Sequence, residues 1–256
     1  MARHRLGGVV ALDAGGLTEA VALPQPLHVP RTDDNSMFCF IVSMSSGGER
    51  LLTTHHFINK VSIFRCADWA VVSDGPMPPV PSVSIGAFNS HIGNWGSWAN
   101  GPVFIRAWNA IIHQGVWARH GYTVKVDADS VFFPERMPLH LAHFDVTKPR
   151  TVWGVYGPIE VFSWGAVKLI AEKRDQACPF LPSMSEDAGL EECMATMGVP
   201  KQKDRLMLIH TVHTASRWTP CQEYIYSAAF HPYKDVASWN RCYHLAGDGA
   251  VHPLPE

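Results

Sequence analysis

The chain has 256 residues, a formal net charge of −2, 46% hydrophobic residues and 17% charged ones. That balance excludes a disordered chain, and the near-neutral charge gives no reason to expect nucleic acid as a partner. The length suits one large domain or two small ones and is ample for a sizeable core. Residues 6–23 are mildly apolar, but Asp13 and Glu19 interrupt them. They are too polar to span a membrane and lack the clean apolar core of a signal peptide. Six cysteines without a C-x-x-C pair argue against structural zinc. Their even count and wide spacing fit disulfides or buried thiols, and favour at least one disulfide.

In chain order, residues 1–35 read as a poorly ordered lead-in, 36–246 as one folded domain and 247–256 as a tail. The apolar run 38–43 reads as a buried strand, the first of a parallel sheet. A helix is predicted over 49–61, with the pair His55-His56 on its surface. Residues 69–75 form a second strand ending at Asp74-Gly75. The stretch 75–101 is rich in Pro, Gly, Ser and Asn and reads as a loop near a functional edge. Trp95 and Trp98 fall within it. Pro102 opens an amphipathic helix with Phe104, Ala107, Trp108, Ile111 and Ile112 on one face.

A third strand, rich in β-branched residues, then runs into Asp127-Ala128-Asp129. Positions i and i+2 of an extended chain point the same way. Two carboxylates so placed repel unless a cation sits between them, so the pair predicts a divalent metal site. The bland reading is an acidic turn after a strand. Beyond it, 151–156 reads as a strand broken by Gly157-Pro158, and 161–173 as a helix. A helix over 188–197 is opened by Ser185-Glu186-Asp187, where acidic residues also suit the helix dipole. Residues 205–209 read as a late strand, 228–234 surround His231, and 236–245 form a last helix. The order is α/β with a mainly parallel central sheet flanked by helices. In such sheets ligands sit beyond the carboxyl ends of the strands.

Asp127, Asp129 and His231 form a plausible ligand set for Mn²⁺ or Mg²⁺: carboxylates suit both, and imidazole favours Mn²⁺. His210 and His213, after the late strand, are a lesser metal candidate. A further carboxylate can serve as general base.

These ordered motifs resemble the GT-A-fold glycosyltransferases, particularly the fringe and β1,3-galactosyltransferase kind. The resemblance rests on Val124-Lys125-Val126-Asp127-Ala128-Asp129-Ser130-Val131-Phe132 as the D-x-D strand. It rests also on the preceding helix with Phe104 and Trp108, on Gly157-Pro158-Ile159-Glu160-Val161-Phe162-Ser163 as the acceptor-side segment, on Glu186-Asp187 with Cys193 downstream, and on Phe230-His231-Pro232. The chain departs from the pattern at Ala128, Pro158 and Ala188. The resemblance implies a GT-A-like single domain and transfer of a sugar, with inversion, from a nucleotide-diphosphate sugar to a hydroxyl of a glycan or protein. It implies Mn²⁺ or Mg²⁺ held by Asp127, Asp129 and His231, and Asp187 as the base. Asp74 is expected to touch the nucleotide, and Arg106 its phosphates, beside Asp127. It also implies a Golgi or secretory lumen, with an anchor outside this chain. Two rivals are a haloacid-dehalogenase-like phosphatase with Asp127 as nucleophile, and a non-catalytic nucleotide- or carbohydrate-binding domain.

Overall fold

The first apolar run forms strand β1 (Met37–Ser43), whose side chains alternate between two cores. Met37, Cys39 and Ile41 join one; Phe38 and Phe40 join the other, as the two-residue period of a strand requires. A computed structural model describes residues 28–92, 98–141, 144–211 and 218–247. Residues 1–27 of the expected lead-in, Trp95, His213 and residues 248–256 of the expected tail lie outside the described residues. The chain leaves β1 through Gly47, whose φ of +71° favours glycine, into α1 (Gly47–Asn59). Then come β2 (Asp68–Ser73) and, within the expected loop, the short strands β3 (Val83–Ser84), β4 (His91–Ile92) and β5 (Trp98–Ala99). Helix α2 (Gly101–Gln114) has proline in its first turn and a left-handed Gly115 beyond its end. Its buried Ala107, Trp108, Ile111 and Ile112 pack in the core that holds Phe38 and Phe40.

Strand β6 (Tyr122–Val126) delivers the acidic pair. It is followed by β7 (Val131–Phe132), α3 (Met137–Leu141) and β8 (Thr151–Tyr156). The next segment differs from the sequence expectation. Residues 159–163 are strand β9 (Ile159–Ser163), and the helix α4 (Trp164–Ala177) starts only after it. Gly157-Pro158 is therefore the two-residue turn of an antiparallel hairpin between β8 and β9. Ile159 and Val161 are β-branched, all five residues of β9 are buried, and the Ser163 side chain accepts the Ala166 N–H as an N-cap. Helical apolar spacing was outweighed by strand propensity and the cap. The remaining elements are α5 (Glu186–Thr196), β10 (Lys201–Gln202), β11 (Leu208–His210), α6 (Thr219–Glu223), β12 (Ala229–His231) and α7 (Val236–Leu245). The late strand thus begins at Leu208, not at residue 205.

The central sheet has seven strands in the order β10-β8-β9-β6-β1-β2-β3. Four of its six pairings are parallel; β9 runs antiparallel to both neighbours. One core, containing Leu52 of α1 and Trp239 of α7, covers one face of the sheet. The other, with residues of α2, α4 and α5, covers the opposite face. The α/β class with a mainly parallel sheet flanked by helices is the class read from the sequence. β2 and β6 lie on either side of β1, so the strand order reverses there, which is where open α/β sheets form a crevice. Among the described residues, no helix is long and apolar enough to cross a membrane.

All six cysteines pair: Cys39–Cys66, Cys178–Cys193 and Cys221–Cys242. The second ties α5 to the end of α4, and the third ties α6 to α7. Loops of this size each remove about 3 kcal/mol of unfolded-chain entropy.

Of the pair His55-His56, expected on the helix surface, His55 is half-buried and His56 lies in the core. His56 is 0% exposed, because it shares the buried face of α1 with Leu52 and Thr53. Its ring packs 4.4 Å from that of Trp239, and neither ring nitrogen has a hydrogen-bond partner. Burial, with a smaller contribution from His55, pushes its pKa down to about 3. An unfolded histidine titrates near 6.5. The unfolded chain therefore takes up a proton that the folded chain refuses as pH falls from about 6.5 toward 3. Stability is intact above about 6.5 and falls below it by up to about 1.4 kcal/mol per pH unit. The His56→Phe variant is expected to flatten the fall of the urea midpoint between pH of about 6.5 and about 4.5. An unchanged slope would assign the acid sensitivity to other groups.

Candidate active site

The acidic pair stands on a turn, not on an extended strand end. Ser130 N–H donates to the Asp127 carbonyl at 3.0 Å. The turn is clamped from outside. The Asp127 N–H (3.1 Å) and the Ser130 hydroxyl (2.9 Å) both donate to the Pro158 carbonyl, and Trp239 Nε1 donates to the Ser130 carbonyl at 2.9 Å. Residues with strong turn preference sit where the strand stops, so the same-side placement expected from i, i+2 spacing is reached by a turn.

His231 arrives by strand pairing. β7 runs antiparallel to β12, with Phe132 opposite Ala229 and Val131 opposite Phe230. Continued by one residue, that register sets His231 opposite Ser130, next to Asp129. Its Nε2 lies 3.2 Å from Asp129 Oδ1. Asp127, Asp129 and His231 each offer one ligand atom, and these atoms lie within 4.8 Å of one another. Opposite ligands of a magnesium-sized ion stand about 4.2 Å apart, so small side-chain rotations close the set around a divalent cation. Two hard oxygens and one imidazole nitrogen fit Mn²⁺ or Mg²⁺.

Lys234 Nζ donates to Asp129 Oδ2 at 2.7 Å, although 76% of its side chain is exposed. Burial works against the Asp129 carboxylate, but the hydrogen bonds and charges of His231 and Lys234 outweigh it and hold the carboxyl well below the usual range. The Lys234 ammonium is pushed up, first by its hydrogen bond to Asp129, against some desolvation. Glu49, at the start of α1, accepts the Met44 N–H at 2.8 Å. Desolvation raises its pKa, the Met44 N–H opposes, and the nearby Asp127 and Asp129 add to the rise. Asp74 follows β2 and accepts the Ser45 N–H at 2.6 Å, which ties together the loops after β1 and β2.

Asp187 lies in the first turn of α5 and accepts the Ala188 N–H at 2.8 Å. Its Oδ2 is 3.7 Å from where a Cβ on Gly157 would stand, and Asp127 Oδ2 is 3.9 Å from that point. The glycine thus leaves space between these two carboxylates. The structure brings Asp127, Asp129, His231 and Asp187 to one edge, with Asp74 on the same sheet edge two strands away. The Arg106 Nη2 donates to the Ala87 carbonyl at 2.6 Å.

Beneath the edge lies a group that sequence reading missed. Lys125 is 1% exposed, and the strand alternation that puts Val124 and Val126 in one core puts Lys125 on the other face. Its Nζ donates to the Gly157 carbonyl at 2.6 Å and pairs with Asp127 Oδ1 at 2.8 Å, Glu186 Oε2 at 3.4 Å and Glu160 Oε1 at 3.9 Å. Desolvation opposes its charge, but Asp127, Glu186 and Glu160 outweigh it and keep the ammonium charged. Glu160, directly opposite Lys125 in the β6–β9 ladder, is fully buried. Burial, then the Glu186 charge, push it well above the carboxylate range. Burial also raises Glu186, against the pull of Lys125. The available signal was a lysine inside an otherwise apolar strand, which burial forbids without a partner. His210 was read as a lesser metal candidate. Its Nε2 lies 3.3 Å from His231 Nδ1, behind the ligand set.

No protein-family model and no curated protein matches the chain. Solved structures similar in chain path include the following three. An active-site mutant of LgtC matches with a TM-score of 0.47 and 11% identity, covering 86% of this chain and 98% of that one. The galactosyltransferase LgtC in complex with donor and acceptor sugar analogues matches at 0.45 and 10%, with the same coverage. A glycosyltransferase involved in glycosylation of the major capsid of PBCV-1 matches at 0.40 and 11%, covering 82% and 98%. At TM-scores below 0.5, any functional reading stands on this chain's own residues.

Proposed function

We propose that the chain is a metal-dependent glycosyltransferase of the GT-A kind, moving a sugar from a nucleotide-diphosphate donor to a hydroxyl acceptor with inversion. The observation that carries this reading is the convergence of Asp127, Asp129 and His231 at the carboxyl end of β6, with the Asp187 carboxylate across Gly157. Asp127, Asp129 and His231 would hold Mn²⁺ or Mg²⁺, which when bound offsets charge developing on the departing diphosphate. Lys234, exposed beside Asp129, supplies a mobile positive charge for the same phosphates. The crevice at β1, edged by Asp74 and Ser45, is the place for the nucleoside. Asp187 takes the proton of the acceptor hydroxyl as its oxygen attacks. The acceptor is a glycan or a protein hydroxyl. Three disulfides suit an oxidising, secretory compartment.

The phosphatase reading is less well supported. Its motif belongs near the start of a sheet, whereas β6 follows β1 and β2 and pairs with the antiparallel β9. A thermal-shift screen of nucleotide sugars with and without Mn²⁺ tests the proposal. A ligand present at about 100 times its Kd adds about 2.7 kcal/mol to folding, a rise of several degrees. The expected result is a shift that one nucleotide-diphosphate sugar gives only with the metal. No metal-enhanced shift with any of them overturns the proposal.

A further inference from the structure

The ammonium of Lys125 has three protons to donate, and each meets an acceptor on a different segment. One goes to Asp127 on its own strand end, one to the Gly157 carbonyl in the β8–β9 turn, and one to Glu186 at the start of α5. The Phe104 ring lies 4.9 Å beneath it. Asp127 belongs to the metal-ligating set, and Glu186 immediately precedes Asp187. The Gly157 that Lys125 holds by its carbonyl is the residue on whose flank both carboxylates stand. The arrangement is costly for folding alone. Lys125, Glu160 and Glu186 are buried together, Glu160 and Glu186 sharing a side-chain hydrogen bond, and packed apolar side chains are often as stabilising as such an ionic cluster.

We infer that Lys125 is a positioning residue: a buried strut that sets the distance between the leaving-group side of the site, at Asp127, and the base, Asp187. It touches neither substrate nor reacting atoms, and acts through Asp127, Gly157 and the Glu186 end of α5. The inference rests on the proposed glycosyl transfer for its catalytic consequence, but not for its structural one. A base displaced by about 1 Å loses on the order of 100-fold in rate, while donor binding changes less, because Asp129, His231 and Lys234 keep their contacts and Asp127 keeps a cationic partner.

The Lys125→Arg variant keeps the charge but replaces a compact ammonium by a longer planar fork. Its kcat is expected to fall at least about tenfold, with donor KM within about threefold of wild type and the Mn²⁺-dependent thermal shift retained. A kcat within twofold of wild type, or a loss that appears equally in donor KM, overturns the strut. A crystal structure of the variant gives a readout independent of turnover: the start of α5 is expected to move so that Asp187 leaves the flank of Gly157. If Asp187 keeps its place there, the inference fails even if the protein is an active transferase. If wild type transfers no sugar while Asp187 moves in the variant, only the transferase reading fails. Should Lys125→Arg not fold, Glu186→Gln weakens the same link from its other end at constant volume and is read by the same measurements.

Discussion

The Asp129→Ala protein is expected to lose metal-dependent donor binding altogether while remaining folded. Asp129 would supply one of the three proposed ligand atoms, which lie within 4.8 Å of one another. Its removal leaves Asp127, which already has Lys125 at 2.8 Å, and His231. Changing a residue that merely orients a ligand costs 10–100-fold in metal affinity, so loss of a ligand should cost at least about 100-fold. The fold should tolerate it. Lys234, the ion-pair partner left behind, is 76% exposed and returns to water, and the Tyr233 N–H still donates to the residue 129 carbonyl at 2.8 Å. Mn²⁺ titration followed by electron paramagnetic resonance, with the thermal shift as a second reading, checks this. Metal-enhanced binding of wild-type strength in the variant would remove Asp129 from the ligand set.

The second large effect belongs to Asp187→Asn. The amide has the shape of the carboxylate, and its oxygen can keep the Ala188 N–H bond seen at 2.8 Å, so the start of α5 should stand. What the amide lacks is the capacity to take up a proton, the role proposed for Asp187. General-base catalysis contributes about 10²–10⁴-fold, equivalent to about 3–5 kcal/mol of barrier. Turnover should fall by that factor, with donor binding nearly unchanged, because the metal-ligating set is untouched. Single-turnover transfer measured alongside the thermal shift separates the two. Normal turnover in Asp187→Asn would move the proton transfer to another group and would remove the support for inversion with it.

Several elements were legible because local chemistry agreed with the tertiary structure. The continuous apolar run before Ser43 and the β-branched stretch before Asp127 both fit buried strands. Proline in the first turn marks the start of α2, and α7 takes the bounds read for it, Val236–Leu245, with Asp235 as its N-cap in the structure. Residues 161–163 read as the start of a helix because their apolar spacing suits either a helix or a strand, and their pairing partners on β6 and β8 are remote in sequence. His56 was misread for a similar reason. Two adjacent histidines are polar by composition, but a helix turns one of them inward when the opposite face has a large aromatic residue to receive it.

The sequence by itself determined the chemistry available at the site: two aspartates around a small residue after a strand, an acidic pair opening a helix, and a histidine before a proline. It also determined the α/β order that carries them to sheet edges, because strand alternation and helix caps are local properties. Only the tertiary structure decided how these groups stand to one another. The β7–β12 register brought His231 to Asp129, the β8–β9 hairpin placed Gly157 between Asp127 and Asp187, and the three disulfides selected their pairings. The tertiary structure also exposed the buried Lys125 with its three carboxylates. A charge inside a strand is unfavourable until its partners are known; Asp127 is near in sequence, but Glu160 comes from a hairpin strand and Glu186 from a helix start, both distant along the chain.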